Sequence, residues 1–511
     1  MRALISVHDK TGLVPFARGL LDLGWELVAS GGTASELGYA GLPVTAVEQV
    51  TDFPELLGGR VKTLHPRVHA GILARSDVED DLRQLREHGI ERFGLVCVNL
   101  YPFELVAERR GLDDDEVIEM IDIGGPALLR AAAKNHREVI PVCRPQDYDA
   151  VLAELREHLG ETTYEMRRRL AAVAFARTAA YESAITGWFQ RGNVFPETFV
   201  HAFDKELELA YGENPHQRAA YYAERSARAN LLSNVQQLHG RQLSFNNLND
   251  LSAGRLALRG LDRPACVIVK HANPCGVAVA DTMEDAYARA LAADPVSAYG
   301  GVVVLNRAVM AALGEALAEQ FIEILFAPGF DEQAIEALSR RESTRILNDL
   351  ERRGPADVEL DYRRVLGGLL VQDRDWLPDR REDMEVVSGR LAEHEWSDAL
   401  FAWHVVRHVT SNAIVVAKAG QTIGIGAGQM SRVDAVRIAV EKARELGHDT
   451  QGAVLASDGF FPFADGPRLA LDAGVRVLVQ PGGSKRDGEV IEAVAGARAA
   501  MVFTHRRHFR H

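Results

Sequence analysis

Short β-rich apolar runs that end in glycine-bearing turns, each followed by a helical pattern, recur along this chain and constrain its fold more than any other feature. Ala3–Val7 reads as a strand, Gly12–Leu23 as a helix, and Glu26–Ala29 as a strand ending in Ser30-Gly31-Gly32-Thr33. Leu95–Leu100 is an apolar strand closed by Tyr101-Pro102, Ile123-Gly124-Gly125-Pro126 opens a helix with Pro126 at its first position, Val139–Cys143 is a strand and Tyr164–Gln190 a long helix. Such alternation predicts βαβ units on a parallel sheet. Arg191–Pro196 breaks the pattern, which predicts a first domain over 1–195 and a second over 200–511. The second half predicts strands at Cys266–Val269, Val302–Leu305, Val365–Val371, Ala413–Ala417, Thr422–Ile425, Val454–Ala456, Val475–Val479 and Met501–Thr504. Helices are predicted between them, one of them over Ala308–Phe326, and the polar stretch Leu350–Arg364 predicts two subdomains split near 350–365. The expected fold class is α/β throughout.

Composition narrows the function. Apolar residues make 47% of the 511, ample for packed cores and too many for a disordered chain. The net charge of −14 argues against nucleic acid or an anionic membrane as partner. Four cysteines, Cys97, Cys143, Cys266 and Cys275, are too few for a disulfide framework. MRALISVHDKTG is interrupted by Asp9 and Lys10, so it does not form a secretory apolar region, and no run of about 18 apolar residues follows. A soluble chain in a reducing cytoplasm is expected.

Several loops suit anions. In Ser30-Gly31-Gly32-Thr33 the glycines let backbone N–H groups approach a phosphate at a helix start. An ordinary tight turn is the bland alternative. Gly58-Gly59-Arg60-Val61-Lys62-Thr63-Leu64-His65-Pro66 adds a forked and a mobile cation, although loop charges often only face water. Asp122-Ile123-Gly124-Gly125-Pro126 repeats the glycine junction, with Asp122 suited to a helix cap and Lys134 deeper in the helix. Three such loops on one parallel sheet gather at the carboxyl ends of its strands.

In the second half, Tyr211-Gly212-Glu213-Asn214-Pro215-His216-Gln217 is a polar turn. The strand Cys266–Val269 delivers Lys270 and His271 together at its carboxyl end. Histidine suits general acid–base work near neutrality, and lysine suits a developing oxyanion. Asn273-Pro274-Cys275-Gly276 lacks the second cysteine of a zinc deaminase's PCxxC, so zinc is rejected. Gly424-Ile425-Gly426-Ala427-Gly428-Gln429 has the wrong spacing for a dinucleotide fingerprint. Phe460-Phe461-Pro462-Phe463 can wall a flat heterocycle or fill a core, and the basic THRRHFRH terminus reads by itself as a frayed tail.

Taken in order, SVHDKTGLV, ASGGTA, GGRVKTLHP, NLYPF, DIGGPALLRAAAKNH, YGENPHQ, LSFNNLNDLSA, KHANPCG, DPVSAYGG, SNAIVVAK, IGIGAGQMSR and SDGFFPF span the chain. Together they resemble the bifunctional aminoimidazole-carboxamide ribonucleotide (AICAR) transformylase/IMP cyclohydrolase family of purine biosynthesis. The resemblance implies an N-terminal methylglyoxal-synthase-like parallel-sheet domain for cyclohydrolysis. It implies a C-terminal part of two cytidine-deaminase-like subdomains, without zinc, that moves a formyl group from 10-formyltetrahydrofolate to AICAR. It also implies a homodimer with transformylase sites between subunits, and leaves room for a structural monovalent cation.

By the same resemblance, Ser6, Lys10, Ser30, Gly32, Thr33, Arg60 and Thr63 hold the cyclohydrolase nucleotide, while Lys62, Tyr101, Asp122 and Lys134 surround the closing ring with Gly124 and Gly125. Lys270 and His271 are the transformylase pair, and Tyr211, Asn247, Gly300, Asn412 and Arg432 position AICAR. Phe460, Phe463 and Asp465 match the folate side, and Arg507 and His511 make the tail an ordered part of the site. Ala210 departs from the family, which has a phosphate-binding arginine there; Arg432, Arg507 or another base is left to compensate. Two other readings remain at this level: a phosphate-triggered lyase with a non-catalytic dimerisation half, and a regulatory nucleotide-binding protein.

Overall fold

The computed structural model describes residues 1–109, 111–225, 227, 229–351 and 359–511. They divide into two compact units, Met1–Asp204 with Glu224–Ser226, and Lys205–Ala223 with Ala227–His511.

The first unit is built on β1 (Arg2–Val7), β2 (Glu26–Ala29), β3 (Thr45–Ala46), β4 (Phe93–Asn99) and β5 (Ile140–Val142). Their order is β3-β2-β1-β4-β5, and every pair is parallel. Successive side chains point to opposite faces. Leu4, Val96 and Val98 therefore pack with Leu128, Leu129 and Tyr181, while Ala3, Ile5 and Cys97 pack with Phe16, Leu20 and Tyr148. Both faces are covered, which is why these strands read as unbroken apolar runs. Helices Gly31–Tyr39 and Gly124–Lys134 start at loops on the carboxyl edge. Pro126 stands third in its helix rather than first, because Gly124 and Gly125 already have helical geometry.

In the remainder, β6 (Phe203–Leu209) and β7 (Ala219–Glu224) pair as a two-stranded sheet. A twelve-stranded sheet follows. One half holds β8 (Val235–His239), β9 (Ala265–Lys270), β10 (Asn273–Val279), β11 (Gly301–Leu305), β12 (Ile322–Ala327) and β13 (Arg345–Asp349). A separate hairpin, β14 (Leu360–Val365) with β15 (Gly368–Asp373), precedes the other half. That half holds β16 (Glu385–Ser388), β17 (Ile414–Lys418), β18 (Gln421–Gly426), β19 (Val454–Ser457), β20 (Val477–Gln480) and β21 (Ala500–Phe503). Outward from the centre, the orders are β10-β9-β11-β12-β13-β8 and β18-β17-β19-β20-β21-β16. The parallel and antiparallel pairings also match one for one. The sheet is thus one topology used twice, joined where β10 meets β18 at Ala278 and Gln421. Helices Phe245–Leu258 and Glu393–Val406 occupy matching places in the two halves and share one core with Val267, Val302, Val415 and Trp403.

Two sequence expectations are corrected. Ala308–Phe326 is not one helix: the helix covers Ala311–Ala318 and Ile322–Ala327 is strand β12, buried among β11 and β13. A short apolar run has no periodicity that separates a two-face-buried strand from a helix. Val365–Val371 is not one strand but the turn of the β14–β15 hairpin, reversed at Leu366-Gly367, where Gly367 has φ +72°. Of the polar stretch expected to divide the second half, residues 352–358 lie outside the described residues. Among the described residues no helix is long and apolar enough to cross a membrane.

Candidate active sites

In the first unit the anion-suited loops converge on the carboxyl edge of the sheet. The Ser6 and Ser30 hydroxyls are 2.7 Å apart, and Thr33 Oγ1 accepts from the Val7 backbone N–H at 3.0 Å and from Lys10 Nζ at 2.9 Å. Burial lowers the Lys10 pKa, with Glu36 opposing. Asn99 Oδ1 accepts from the His8 and Asp9 backbone at 2.6 and 2.9 Å, which ties the β1 and β4 loops together, and the His8 ring meets Tyr101 edge-on at 5.2 Å.

The 58–66 loop closes over these groups. Gly31 has φ +40°, and a Cβ there would lie 2.6 Å from Lys62 Nζ; one on Gly124 would lie 2.8 Å from Thr63 Oγ1. Asp122 Oδ1 accepts from the Gly125 backbone N–H at 2.8 Å. Burial raises the Asp122 pKa against the pull of the Gly125, Gly124 and Tyr101 amides. Ser6, Lys10, Ser30, Gly32, Thr33, Lys62, Thr63, Tyr101, Asp122, Gly124 and Gly125 thus fall on one rim.

Three predicted cations depart from the expectation. Arg60 is exposed and paired with Glu119, and Lys62 is paired with Glu55, so in this state carboxylates occupy both. Lys134 is exposed at the far end of its helix, ten residues and about 15 Å of axis from Gly124, so one chain does not bring it to Asp122.

In the second unit Lys270 ends β9 and Asn273 begins β10, leaving His271-Ala272 as a two-residue hairpin turn with φ of 52° and 58°. Lys270 Nζ donates to the Tyr299 and Gly300 carbonyls at 3.0 and 2.8 Å, while His271 is exposed. Gly300 has φ +66°, and a Cβ there would lie 3.1 Å from the Phe321 ring and 3.3 Å from Lys270 Nζ. A cavity of about 200 Å³ opens beside the pair, lined by Lys270, His271, Asn273, Asp294, Gly424 and Lys442 among others.

The other predicted residues have defined partners of their own. Thr410 N–H donates to Asn273 Oδ1 at 2.8 Å, two residues before Asn412. Arg432 is buried; it donates to Asn412 Oδ1 at 2.7 Å, to Ser457 Oγ at 2.7 Å and to Asp458. The FFPF run splits, with Phe461 in the core and Phe460 and Phe463 exposed, the latter under the Arg486 guanidinium at 4.8 Å. Asp465 opens helix Asp465–Asp472. The tail is tied in: His508 N–H donates to the Asp458 carbonyl at 3.0 Å and Ser411 N–H to the Arg510 carbonyl at 2.9 Å. Arg507 lies over the Phe509 ring at 4.6 Å, and His511 meets that ring edge-on at 6.0 Å. Asn247 is buried, accepting from Ser244 N–H and donating to Glu323 at 2.9 Å, and Tyr211 is exposed beside the same helix start, where its carbonyl accepts from Phe245 N–H.

Comparison with known proteins finds relatives of the whole chain. The AICARFT/IMPCHase bienzyme family model matches residues 132–442, and the MGS-like domain model matches residues 12–127. The chain belongs to the AICARFT/IMPCHase bienzyme family. Proteins named bifunctional purine biosynthesis protein PurH align with all of this chain: that of Magnetococcus marinus at 49% identity over 99% of its own length, that of Persephonella marina at 48% over 99%, and that of Cereibacter sphaeroides at 49% over 98%. The chain is accordingly a bifunctional enzyme of purine biosynthesis, a formyltransferase and an IMP cyclohydrolase. The alternative of a lyase with a non-catalytic second half is set aside by the bienzyme match across that half.

Some neighbours of this bienzyme's predicted residues were not singled out as site residues, although Asp250 lies within LSFNNLNDLSA and Arg510 within THRRHFRH. Glu323, inside β12, accepts from Asn247. Asp250 accepts from the Ala272 N–H. Arg510 donates to the Ala272 carbonyl. Arg345, hydrogen-bonded to the Gln242 and Ser343 carbonyls, feels the charges of Glu323 and Tyr211, and burial lowers its pKa.

Proposed function

We propose that Lys270 and His271 carry formyl transfer from 10-formyltetrahydrofolate to AICAR, and that the rim around Lys62, Tyr101 and Asp122 closes formyl-AICAR to IMP. The observation that carries the reading is the Lys270–His271 turn, which offers an exposed imidazole and a seated ammonium beside one cavity. AICAR's amine is conjugated with its ring and is a poor nucleophile. His271 takes a proton from it as the nitrogen attacks the formyl carbon, and Lys270 stabilises the tetrahedral oxyanion. Collapse expels the folate nitrogen, which takes up a proton. Tyr211, Asn247, Gly300, Asn412, Arg432, Arg507 and His511 shape the AICAR side, and Phe460, Phe463 and Asp465 the folate side. Arg345 stands in for the arginine that Ala210 lacks, since Arg432 is engaged by Asp458.

In ring closure the carboxamide nitrogen attacks the new formyl group and water leaves. Both reacting groups sit on one ring, so proximity provides much of the rate. A carboxyl whose pKa is raised by burial, as at Asp122, is better matched to proton transfer near neutrality. Lys62, once released from Glu55, faces the oxyanion, while the Gly124 and Gly125 amides hold the Asp122 carboxyl beside it. Ser6, Lys10, Ser30, Gly32, Thr33, Arg60 and Thr63 hold the nucleotide, with Arg60 released from Glu119 by the incoming phosphate. Lys134 keeps its place only through the family resemblance.

A structural monovalent cation fits beside Asp458, whose Oδ2 is buried without a hydrogen-bond partner; bound there it supplies fixed charge and no reacting group. A homodimer is supported by the β14–β15 hairpin, which stands outside the larger sheets and exposes Leu366, Leu369 and Leu370. Cytoplasmic residence is supported by Cys97, Cys143, Cys266 and Cys275, all free thiols. The decisive experiment is a spectrophotometric assay of the purified chain with AICAR and 10-formyltetrahydrofolate. Tetrahydrofolate release followed by IMP is expected; cyclisation of supplied formyl-AICAR without any folate turnover overturns the transferase half.

A further inference from the structure

We propose that Asp250 and Arg510 are positioning residues that clamp the His271 turn from its two sides. The inference rests on the reading of His271 as the formyl-transfer base. His271 and Ala272 are consecutive left-handed residues, and neither is glycine. A left-handed L-residue costs roughly 1–2 kcal/mol, and two-residue turns of this kind favour Asn-Gly. The turn is therefore held by its surroundings rather than by its own preference.

Asp250, on helix Phe245–Leu258, accepts from the Ala272 N–H at 2.6 Å. From the other side Arg510 donates to the Ala272 carbonyl at 3.0 Å and, with the same nitrogen, to the His408 carbonyl at 2.6 Å. Both contacts join a charged group to a backbone group, and both side chains are half-buried, where such bonds are stronger than in water.

The second half of the sheet supplies a natural control. Its matching turn is Ala419-Gly420, with φ of 52° and 71°, between β17 and β18. Asp398, sixth in helix Glu393–Val406 as Asp250 is sixth in its own helix, accepts from both turn amides at 2.7 Å. The carboxylate-to-turn contact is thus a device of the repeat that fixes an αL–αL hairpin. Only in the first half does that hairpin carry a histidine; an arginine meets a turn carbonyl in both, Arg510 from the chain's tail at Ala272 and Arg289 from helix Met283–Ala293 at Ala419.

The test measures formyl transfer and cyclisation separately in the full-length enzyme. Displacing a reacting group by an ångström can cost on the order of 10²-fold. Asp250→Ala and Arg510→Ala are each expected to lower the formyl-transfer kcat by about 10- to 100-fold, with KM for AICAR and the cyclohydrolase rate nearly unchanged. Asp250→Asn keeps an oxygen for the Ala272 N–H and is expected to recover most of the rate. In a His271→Ala background neither substitution is expected to lower kcat further, whereas a merely structural role would lower it there too. Asp398→Ala, at the turn without a histidine, is expected to reduce stability and leave formyl-transfer kcat near its original value. Unchanged kcat in Asp250→Ala and Arg510→Ala, or an equal further loss in the His271→Ala background, overturns the clamp. Full formyl transfer in His271→Ala alone overturns the underlying assignment instead, so the two failures are distinct. If Asp250→Ala does not fold, Arg510→Ala and Asp250→Asn carry the same comparison.

Discussion

Lys270 and Lys418 end the matching strands of the two halves of the twelve-stranded sheet, and each ammonium is seated on backbone carbonyls just ahead of the neighbouring strand on the outward side. For Lys270 these are Tyr299 and Gly300, before β11; for Lys418 they are Asp449 and Gln451, before β19, with the Asp449 carboxylate added at 2.7 Å. The lysine is therefore a structural element of the repeat, and the neighbouring histidine is what sets the first half apart. Lys270 is both wedge and candidate oxyanion partner, because its seat is made of neutral carbonyls, whereas Lys418 is paired directly with the Asp449 carboxylate.

Replacing His271 by alanine tests the division of labour. General acid–base help is typically worth about 10²–10⁴-fold, and a loss of at least that size is expected in the formyl-transfer kcat. Cyclisation of supplied formyl-AICAR is expected to continue at its original rate. Equal loss in both assays would refute two separate sites.

Lys62→Ala is expected to have the opposite effect. Tetrahydrofolate release continues while formyl-AICAR accumulates, because Lys62 sits over Gly31 on the first unit's rim. Chromatography of the reaction mixture checks this; IMP appearing as fast as tetrahydrofolate counts against the role.

Gly300→Ala probes the seat of Lys270. The added methyl meets φ +66°, the Phe321 ring at 3.1 Å and Lys270 Nζ at 3.3 Å. An alanine in this conformation costs roughly 1 kcal/mol by itself, and the crowding pushes the ammonium off its carbonyls. Formyl transfer is expected to fall about tenfold or more with cyclohydrolase unchanged, as the same paired assays read out. Wild-type transfer in this variant argues against a fixed ammonium.

Stability should carry a pH signature from the tail. Burial disfavours the charged form of His508, but hydrogen bonds to Asp375 and Asp379 outweigh it and raise its pKa. Burial likewise pushes the two carboxyls up, but His508 and Arg407 hold both below their ordinary range. The histidine's contribution is full below its unfolded pKa of about 6.5 and is lost as pH rises through the raised folded value. The carboxylates' contribution is full above about 3.9 and is lost as pH falls through their depressed values. These are two ends of one interaction, strongest between about pH 4 and 6.5. Thermal unfolding of the wild type against His508→Gln is expected to show a gap that is widest in that window and narrows above it. A gap that does not change with pH rules the ionic contact out.

Sequence alone determined what local pattern can determine. Apolar runs with glycine turns gave the parallel sheet of the first unit, because a strand buried on both faces shows its burial in its own residues, as in β4. The Lys270–His271 pair was legible for the same reason, as adjacent residues at a strand's end. Tertiary structure decided whatever depends on distant partners. Arg60 and Lys62 look like free cations in sequence, yet Glu119 and Glu55 reach them. Lys134 lies near Asp122 in sequence, yet a rigid helix carries it about 15 Å away. β12 carries Glu323 into the second site from a run that reads as helix. Arg510 meets Ala272 across 238 residues of chain, and no local signal encodes such a contact. The doubled sheet is of this kind as well: its halves match in strand order and in hydrogen bonding, and strand order is set by long-range pairing that side-chain periodicity does not record.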